Sequence, residues 1–341
     1  MRFGMHLSFK DGPRLAQDIG CQALQIFCGN PRGWQKSPLD PQFVESFKAG
    51  IAAAGINPLV VHATYLINPA APIEKFFQLS SESMATELER SRQLGAQFYV
   101  LHIGNHCGAG AAIGRKRVAA CMQHAASAVP DGPEILVENT SGSGTTLGTT
   151  FEEIAELMQE VKLDRLGLCL DTCHALAAGY DIRTPDGVGR MFDTIDRTIG
   201  LKRLRCLHLN DSKGELGSKL DRHEHIGKGQ IGMAGFKALF SDKRIWDLPA
   251  ILETPRENTQ EEFDNLWTAI GLAQESGAIK TEHMPVKPNR PDVKGASAPA
   301  KKPAKVSGKV TPKPARSVPK KAPLKSTPVG KNSAPKKSKR A

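Results

Sequence analysis

Between residue 1 and about residue 276, eight short runs of aliphatic and β-branched residues alternate with longer amphipathic stretches. The short runs are RFGMHLS, ALQIF, LVVHA, FYVLHIG, EILVENT, LGLCLDT, RCLHLND and AILETP. Helical spacing of apolar residues marks PQFVESFKAGIAAAG, SSESMATELERSRQLG, RKRVAACMQHAASAV, TFEEIAELMQEV and GMAGFKALFSDK between them, and EEFDNLWTAIGLAQES after the last. Short strands alternating with helices pair in parallel through crossovers. Eight such units in this length predict an α/β chain closed into a (β/α)8 TIM barrel rather than an open sheet. The helix near GPRLAQDIG is short and is the weakest unit of the eight.

The runs share a second property, because nearly every one ends in a residue able to bind a metal. His6, His62, His102, Glu138, Asp171, His208 and Glu253 stand at or just past the carboxyl ends, with His174 three residues beyond Asp171. Asp221 and His223 follow in the loop after the seventh run. A barrel gathers all these ends on one face, where active sites are built. Taken singly, each histidine reads as a packed, hydrogen-bonded side chain. Together they do not, since four carboxylates (Glu138, Asp171, Asp221, Glu253) crowded without counter-charge would repel one another. Mixed His and carboxylate donors suit zinc, manganese or iron rather than magnesium or calcium. More than four donors imply more than one ion, and ions a few Å apart suggest displacement at phosphorus.

Other candidates keep the plainer reading. His106, His124, His225 and His283 lie off the strand ends, and Cys173 in DTCH reads as a packed thiol. His6 is placed behind the ligands, where it would orient one of them. The glycine-rich SGSGTTLGTT reads as a βα loop ending in a Thr cap for FEEIAELM.

Charge divides the chain at about residue 281. The net charge of +11 comes from residues 282–341, which hold 17 Lys or Arg against two acids (+15), whereas residues 1–281 carry −4. That tail is Lys, Pro, Ala and Ser with almost no aliphatic residue, so it is expected to be disordered, apart from the barrel domain of 1–281. A polycation of this kind condenses on nucleic-acid phosphate and supplies affinity without sequence choice, there being no aromatic residue for stacking. A membrane surface would attract the same charge. However, no stretch approaches the ~20 apolar residues of a span, and MRFGMHLSFKDGP lacks a signal peptide's apolar run. The seven cysteines are scattered with no CxxC pair, which reads as buried, reduced thiols in an intracellular chain.

The segments VENTSGSGT, LCLDTCHALAAGYDI, HLNDSKGELGSKLDRHEHIGKGQIG and ILETP, with QIFCGNPRGW and VVHATYLIN nearer the start, resemble the endonuclease IV family of apurinic/apyrimidinic DNA-repair nucleases. The resemblance runs in the same order from residue 2 to about 276. It implies a barrel with three zinc ions, manganese or iron being alternatives at one of them. His62 and His102 would hold one ion and share Glu138 with a second, which also takes Asp171, His208 and Glu253; His174, Asp221 and His223 would hold the third. The implied reaction is hydrolysis of the phosphodiester 5′ to an abasic sugar in duplex DNA by a metal-activated hydroxide, giving a 3′-hydroxyl and a 5′-deoxyribose phosphate, with trimming of blocked 3′ ends. By the same resemblance Glu138 and Glu253 would be the catalytic carboxylates, Glu253 also orienting or deprotonating the nucleophile. Arg32, Tyr65 and Leu66 match the residues that fill the gap left by the flipped-out sugar, and the polar loop residues Asn30, Lys213 and Lys228 would add contacts to phosphate. The enzyme is expected as a monomer in the cytoplasm of a bacterium, at the nucleoid, or in a eukaryotic nucleus, with no membrane partner and with its tail on the DNA backbone.

Two rivals compete. A sugar isomerase or epimerase would use Glu138, Asp171, His208 and Glu253 for one metal, but leaves His62, His102, His174, Asp221 and His223 without work. A catalytically inactive DNA-binding scaffold with structural zinc is disfavoured by the complete set of carboxylates.

Overall fold

Each barrel strand buries both faces, and side chains alternate between the helices outside and the axis inside. The computed structural model describes residues 1–291 apart from 257, 281 and 283. The strands are β1 (Arg2–Leu7), β2 (Ala23–Ile26), β3 (Leu59–His62), β4 (Phe98–His102), β5 (Glu134–Glu138), β6 (Leu166–Asp171) and β7 (Leu204–His208). An antiparallel pair of two-residue strands, β8 (Asp211–Ser212) and β9 (His223–Glu224), precedes β10 (Pro249–Leu252). All barrel pairs are parallel, and β1 closes against β10 on one side and β2 on the other, giving the predicted closed eight-stranded barrel.

The helices among the described residues are α1 (Gly12–Ile19), α2 (Pro41–Ala53), α3 (Glu74–Leu94), α4 (Ala111–Ala128), α5 (Phe151–Val161), α6 (Thr172–Ala178), α7 (Pro185–Thr198), α8 (Gly232–Ser241) and α9 (Thr259–Glu275). As expected, α1 is short, at 8 residues. Thr150 caps α5, its side chain accepting from Glu153 N at 3.2 Å. The α6 and α7 pair is additional to the helical segments read from the sequence, and α3 begins six residues before SSESMATELERSRQLG.

The period of two sorts the core into two layers. Leu59 and Val61, Tyr99 and Leu101, Ile135 and Val137, and Leu168 and Leu170 join the large layer shared with the helices. Their neighbours Ala23, Val60, Val100, Leu136, Cys169, Cys206 and Ile251 form a separate buried cluster on the barrel axis. On β1 the matching position is Gly4, where a Cβ would run into the carbonyl oxygen of Ala23. This apolar plug is the floor on which the next inward residue of every strand stands.

Of the tail, residues 282 and 284–291 are described, and two of them contact α9. Lys287 Nζ stands 5.2 Å from the ring centre of Trp267, and Arg290 Nε donates to Asp264 Oδ1 at 3.0 Å. His283 and the expected disordered, DNA-binding stretch from 292 onward lie outside the described residues. Among those described, no helix is long and apolar enough to cross a membrane. Six of the cysteines are buried free thiols, while Cys107 is exposed.

Candidate metal centre

Two residues past each member of the apolar plug, the chain places a polar side chain: His6, Gln25, His62, His102, Glu138, Asp171, His208 and Glu253, one from each strand end. The ligand atoms of His62, His102 and Glu138 lie within 4.8 Å of one another, as do those of Glu138, Asp171, His208 and Glu253, and those of Asp171, His174 and His223. Asp221 completes the last group, with Oδ1 3.2 Å from His174 Nε2 and 3.7 Å from His223 Nε2. Glu138 joins two groups. Its Oε2 is 3.1 Å from His62 Nε2 and 3.3 Å from His102 Nε2, while Oε1 is 3.1 Å from His208 Nδ1. All nine residues singled out in the sequence therefore meet at one face.

Hydrogen bonds behind the donors decide which atom each presents. A carbonyl oxygen can only accept, so the rings facing Ala63 O (His62 Nδ1, 2.7 Å), Asn139 O (His174 Nδ1, 2.9 Å) and Glu253 O (His223 Nδ1, 3.0 Å) carry hydrogen on Nδ1 and present the Nε2 lone pair to the centre. His208 is reversed. Its Nε2 donates to Gln25 Oε1 at 2.9 Å, which leaves Nδ1 free toward Glu138 and Glu253. Asp171 accepts from His174 N at 2.8 Å and Asn210 Nδ2 at 2.6 Å, so the same carboxylate also caps α6.

The fit of these donors to metal can be tested on the atoms themselves. The Nε2 atoms of His174 and His223 are buried and have no hydrogen-bond partner, although each points toward carboxylates. Such orphans are costly unless something other than a hydrogen bond satisfies them. The charge balance agrees. Burial opposes ionisation of Glu138, yet the facing imidazoles His102, His208 and His174 hold its carboxyl well below the usual range. Glu253 is likewise held low against burial, chiefly by His208 and His6. Burial works against protonation of His208 too, but Glu253 and Glu138 outweigh it and raise its pKa to about 10. His174 is raised by Asp171, Asp221 and Glu138, and His62 by Glu138. His102 and His6 go the other way, burial prevailing. The carboxylates demand positive charge, and protons on imidazole supply it only by blocking lone pairs that otherwise converge on shared points. Divalent cations meet both needs.

Beside these groups opens a cavity of about 650 Å³. Tyr65, 73% exposed, stands at its rim with its ring 5.1 Å from that of Phe27, and Lys213 lines it. Leu66 is half-buried and Arg32 exposed; both lie on loops outside the lining, as do Asn30, whose Oδ1 accepts from Arg32 N, and Lys228. A larger cavity of about 970 Å³ flanks α2 and α3, on the outside of the barrel, and holds none of the nine donors. His106 bonds Gly110 N and His225 bonds Asn265, both away from the cluster, and burial pushes the Cys173 thiol up to about 12, so it stays protonated. Sequence reasoning missed Gln25, Asn139 and Asn210, which orient donors, and Arg222 and Arg256 on the cavity wall, the latter paired with Glu262 at 2.6 Å.

Residues 13–275 match the xylose isomerase-like TIM barrel family. A protein named probable endonuclease 4 from Chloroflexus aurantiacus is 43% identical over 280 residues, covering 80% of this chain and 98% of that one. The chain belongs to the endonuclease IV family. A probable endonuclease 4 from Methanoculleus marisnigri is 44% identical over 260 residues, covering 76% of this chain and 92% of that one. Among solved structures, endonuclease IV from Thermus thermophilus superposes with a TM-score of 0.72 at 38% identity, covering 81% of this chain and all of that one. A D-tagatose 3-epimerase-like protein shares the fold at a TM-score of 0.63 and 19% identity, a likeness of architecture alone. Membership in the endonuclease IV family makes this chain a nuclease of the DNA-repair class, a metal-dependent hydrolase.

Proposed function

We propose that the chain hydrolyses the phosphodiester 5′ to an abasic site in duplex DNA, leaving a 3′-hydroxyl and a 5′-deoxyribose phosphate, and that the same site trims blocked 3′ ends. The bridging position of Glu138 carries the reading: a one-metal sugar epimerase has no use for a carboxylate whose second oxygen faces His62 and His102. Three divalent ions would be held by His62, His102 and Glu138, by Glu138, Asp171, His208 and Glu253, and by His174, Asp221 and His223. Zinc is the metal expected, with manganese or iron as alternatives at one site. Bound there, the ions supply a water of lowered pKa and neutralise charge on the leaving oxygen.

The chain supplies the rest. Glu253, held on Oε1 by Gln25 Nε2 at 2.6 Å, orients the attacking water and accepts its proton. Lys213, Arg222 and Arg256 line the cavity wall and attract the phosphate backbone. Tyr65, Leu66 and Arg32 fill the stack where a base is missing, which selects the lesion without reading sequence.

The test is a duplex with one tetrahydrofuran abasic analogue, which resists β-elimination, incubated with and without chelator. A chelator-sensitive nick leaving a 3′-hydroxyl supports the reading. No nick by protein carrying its full metal complement overturns it in favour of a sugar-isomerase activity.

A further inference from the structure

Helix α3 carries a buried polar stripe that the metal centre does not use. Ser80, Ser83, Glu87 and Arg90 fall at helical spacing on one face, and each is buried, Glu87 completely. The stripe grips two loops. On the loop between β2 and α2, Lys36 Nζ is 2.7 Å from Glu87 Oε1, both side chains buried, and also reaches Ser83 Oγ at 3.5 Å. Arg90 donates to the same loop at both ends, to Cys28 O at 2.7 Å and Ser37 O at 2.5 Å. On the loop between β3 and α3, Thr64 donates to Glu87 twice, from Oγ1 at 2.7 Å and from its backbone N at 3.2 Å. Ser80 Oγ accepts from Asn68 N on that loop at 3.0 Å, and Tyr99 OH on β4 donates to Glu87 Oε2 at 3.0 Å.

The first loop carries Arg32, and the second carries Tyr65 and Leu66 next to Thr64. A buried ion pair adds little stability compared with well-packed apolar side chains, so energy alone does not account for placing one here. Geometry does. Both oxygens of one carboxylate are shared between the two loops and the barrel wall, so neither loop can shift without breaking a bond to a buried charge.

We infer that Glu87 is a positioning residue for lesion recognition: it fixes the Arg32 loop and the Tyr65–Leu66 loop at a set separation above the metal face. The inference rests on the function proposed above. Among the described residues, Glu87 has no hydrogen bond to one of the metal centre; its link to that face runs through the loop backbone, where Thr64 N donates to it and the adjoining Ala63 O accepts from His62 Nδ1.

The experiment compares Glu87→Gln, Lys36→Met and their double variant with the unaltered, metal-loaded chain. Readouts are kcat/KM on the tetrahydrofuran duplex, affinity for intact duplex, bound metal, and hydrolysis of bis(p-nitrophenyl) phosphate, which needs the metal centre but no wedge. The expected result is a fall of roughly tenfold to a hundredfold on the abasic duplex, the scale of a 1 Å misplacement, with the other three readouts unchanged. The double variant should be no worse than the worse single variant. Parallel loss on the abasic duplex and the small diester, or no loss on either with only a lower Tm, overturns the inference. If Glu87→Gln does not fold, Thr64→Val removes one grip and leaves the ion pair, and must show the same split. Failure of the underlying function is seen separately, because the unaltered chain would then not distinguish abasic from intact duplex.

Discussion

Gln25 Nε2 donates to Glu253 Oε1 at 2.6 Å while Gln25 Oε1 accepts from His208 Nε2 at 2.9 Å, so one amide from β2 sets both a carboxylate after β10 and an imidazole on β7. His6, whose Nδ1 lies 2.9 Å from the same Nε2, completes the support. Replacing Gln25 by Leu frees the His208 ring to turn and leaves Glu253 without its donor. Loss of such outer partners typically costs about 10- to 100-fold in metal affinity or activity. Metal analysis after dialysis and steady-state nicking should show that loss; an unchanged metal content and rate would mean that the donors orient themselves.

Glu253 sits at the open side of the centre, 17% exposed, whereas Glu138 is fully buried between two donor groups. Glu253→Gln keeps the shape and can still accept at one oxygen, but removes the charge that orients and deprotonates water. Abasic-duplex binding should stay near that of the unaltered chain, and the nicking rate should fall by roughly 10²- to 10⁴-fold. Gel-shift and single-turnover assays separate the two. Equal loss of binding and cleavage with metals retained would count against the role assigned to Glu253.

The barrel and the gathering of its donors were legible because a strand signals with a period of two and each run ended in a donor. Gln25 carried the same signal, a polar side chain at an inward position of ALQIF, but an amide does not announce itself as part of a metal site. Other elements gave weaker cues. The start of α3 at Glu74 follows Ile73, with no side-chain cap, so the first capping-type residues, the serines at 80 and 81, read as the beginning. Helix α6 opens directly on Asp171, and its cap reads in sequence as a ligand. The grip of Glu87 on Lys36 and Thr64 joins residues 51 and 23 positions away, a pairing that only the fold can set.

Protons and metals compete for the same lone pairs. In the metal-free chain His208 is raised to about 10, against ~6.5 in an unfolded chain, so its contribution to stability is complete below the unfolded value and is lost as pH climbs toward the folded one. His174 and His62 are raised and follow the same sign. Glu138 and Glu253 are held low; their contribution is complete above ~4.3 and is lost only in stronger acid. Metal must displace the imidazole protons, so its affinity increases with pH. The gap in Tm between metal-loaded and chelator-treated protein should therefore widen between about pH 6 and 8, and metal addition near neutral pH should release protons to a weakly buffered solution. A constant gap and no proton release would show that the imidazoles are already unprotonated.

Residues 1–281 carry −4 and residues 282–341 carry +15, so the barrel does not repeat the charge of the whole chain. Lesion recognition and backbone affinity should then be separable. A chain ending at Pro291 keeps the residues that contact α9, including Arg290 against Asp264, and removes most of the Lys and Arg of the tail. Each phosphate neutralised contributes about −0.9 to the slope of log K against log salt on duplex DNA. The shortened chain should bind intact and abasic duplex more weakly at low salt, with a slope shallower by several units, while its single-turnover nicking rate at saturating enzyme stays unchanged because the metal centre is intact. Fluorescence anisotropy across a salt series measures the slope directly. An unchanged slope would remove the tail from the DNA-binding surface, and the cavity-wall cations Lys213, Arg222 and Arg256 would then carry the electrostatic part of binding alone.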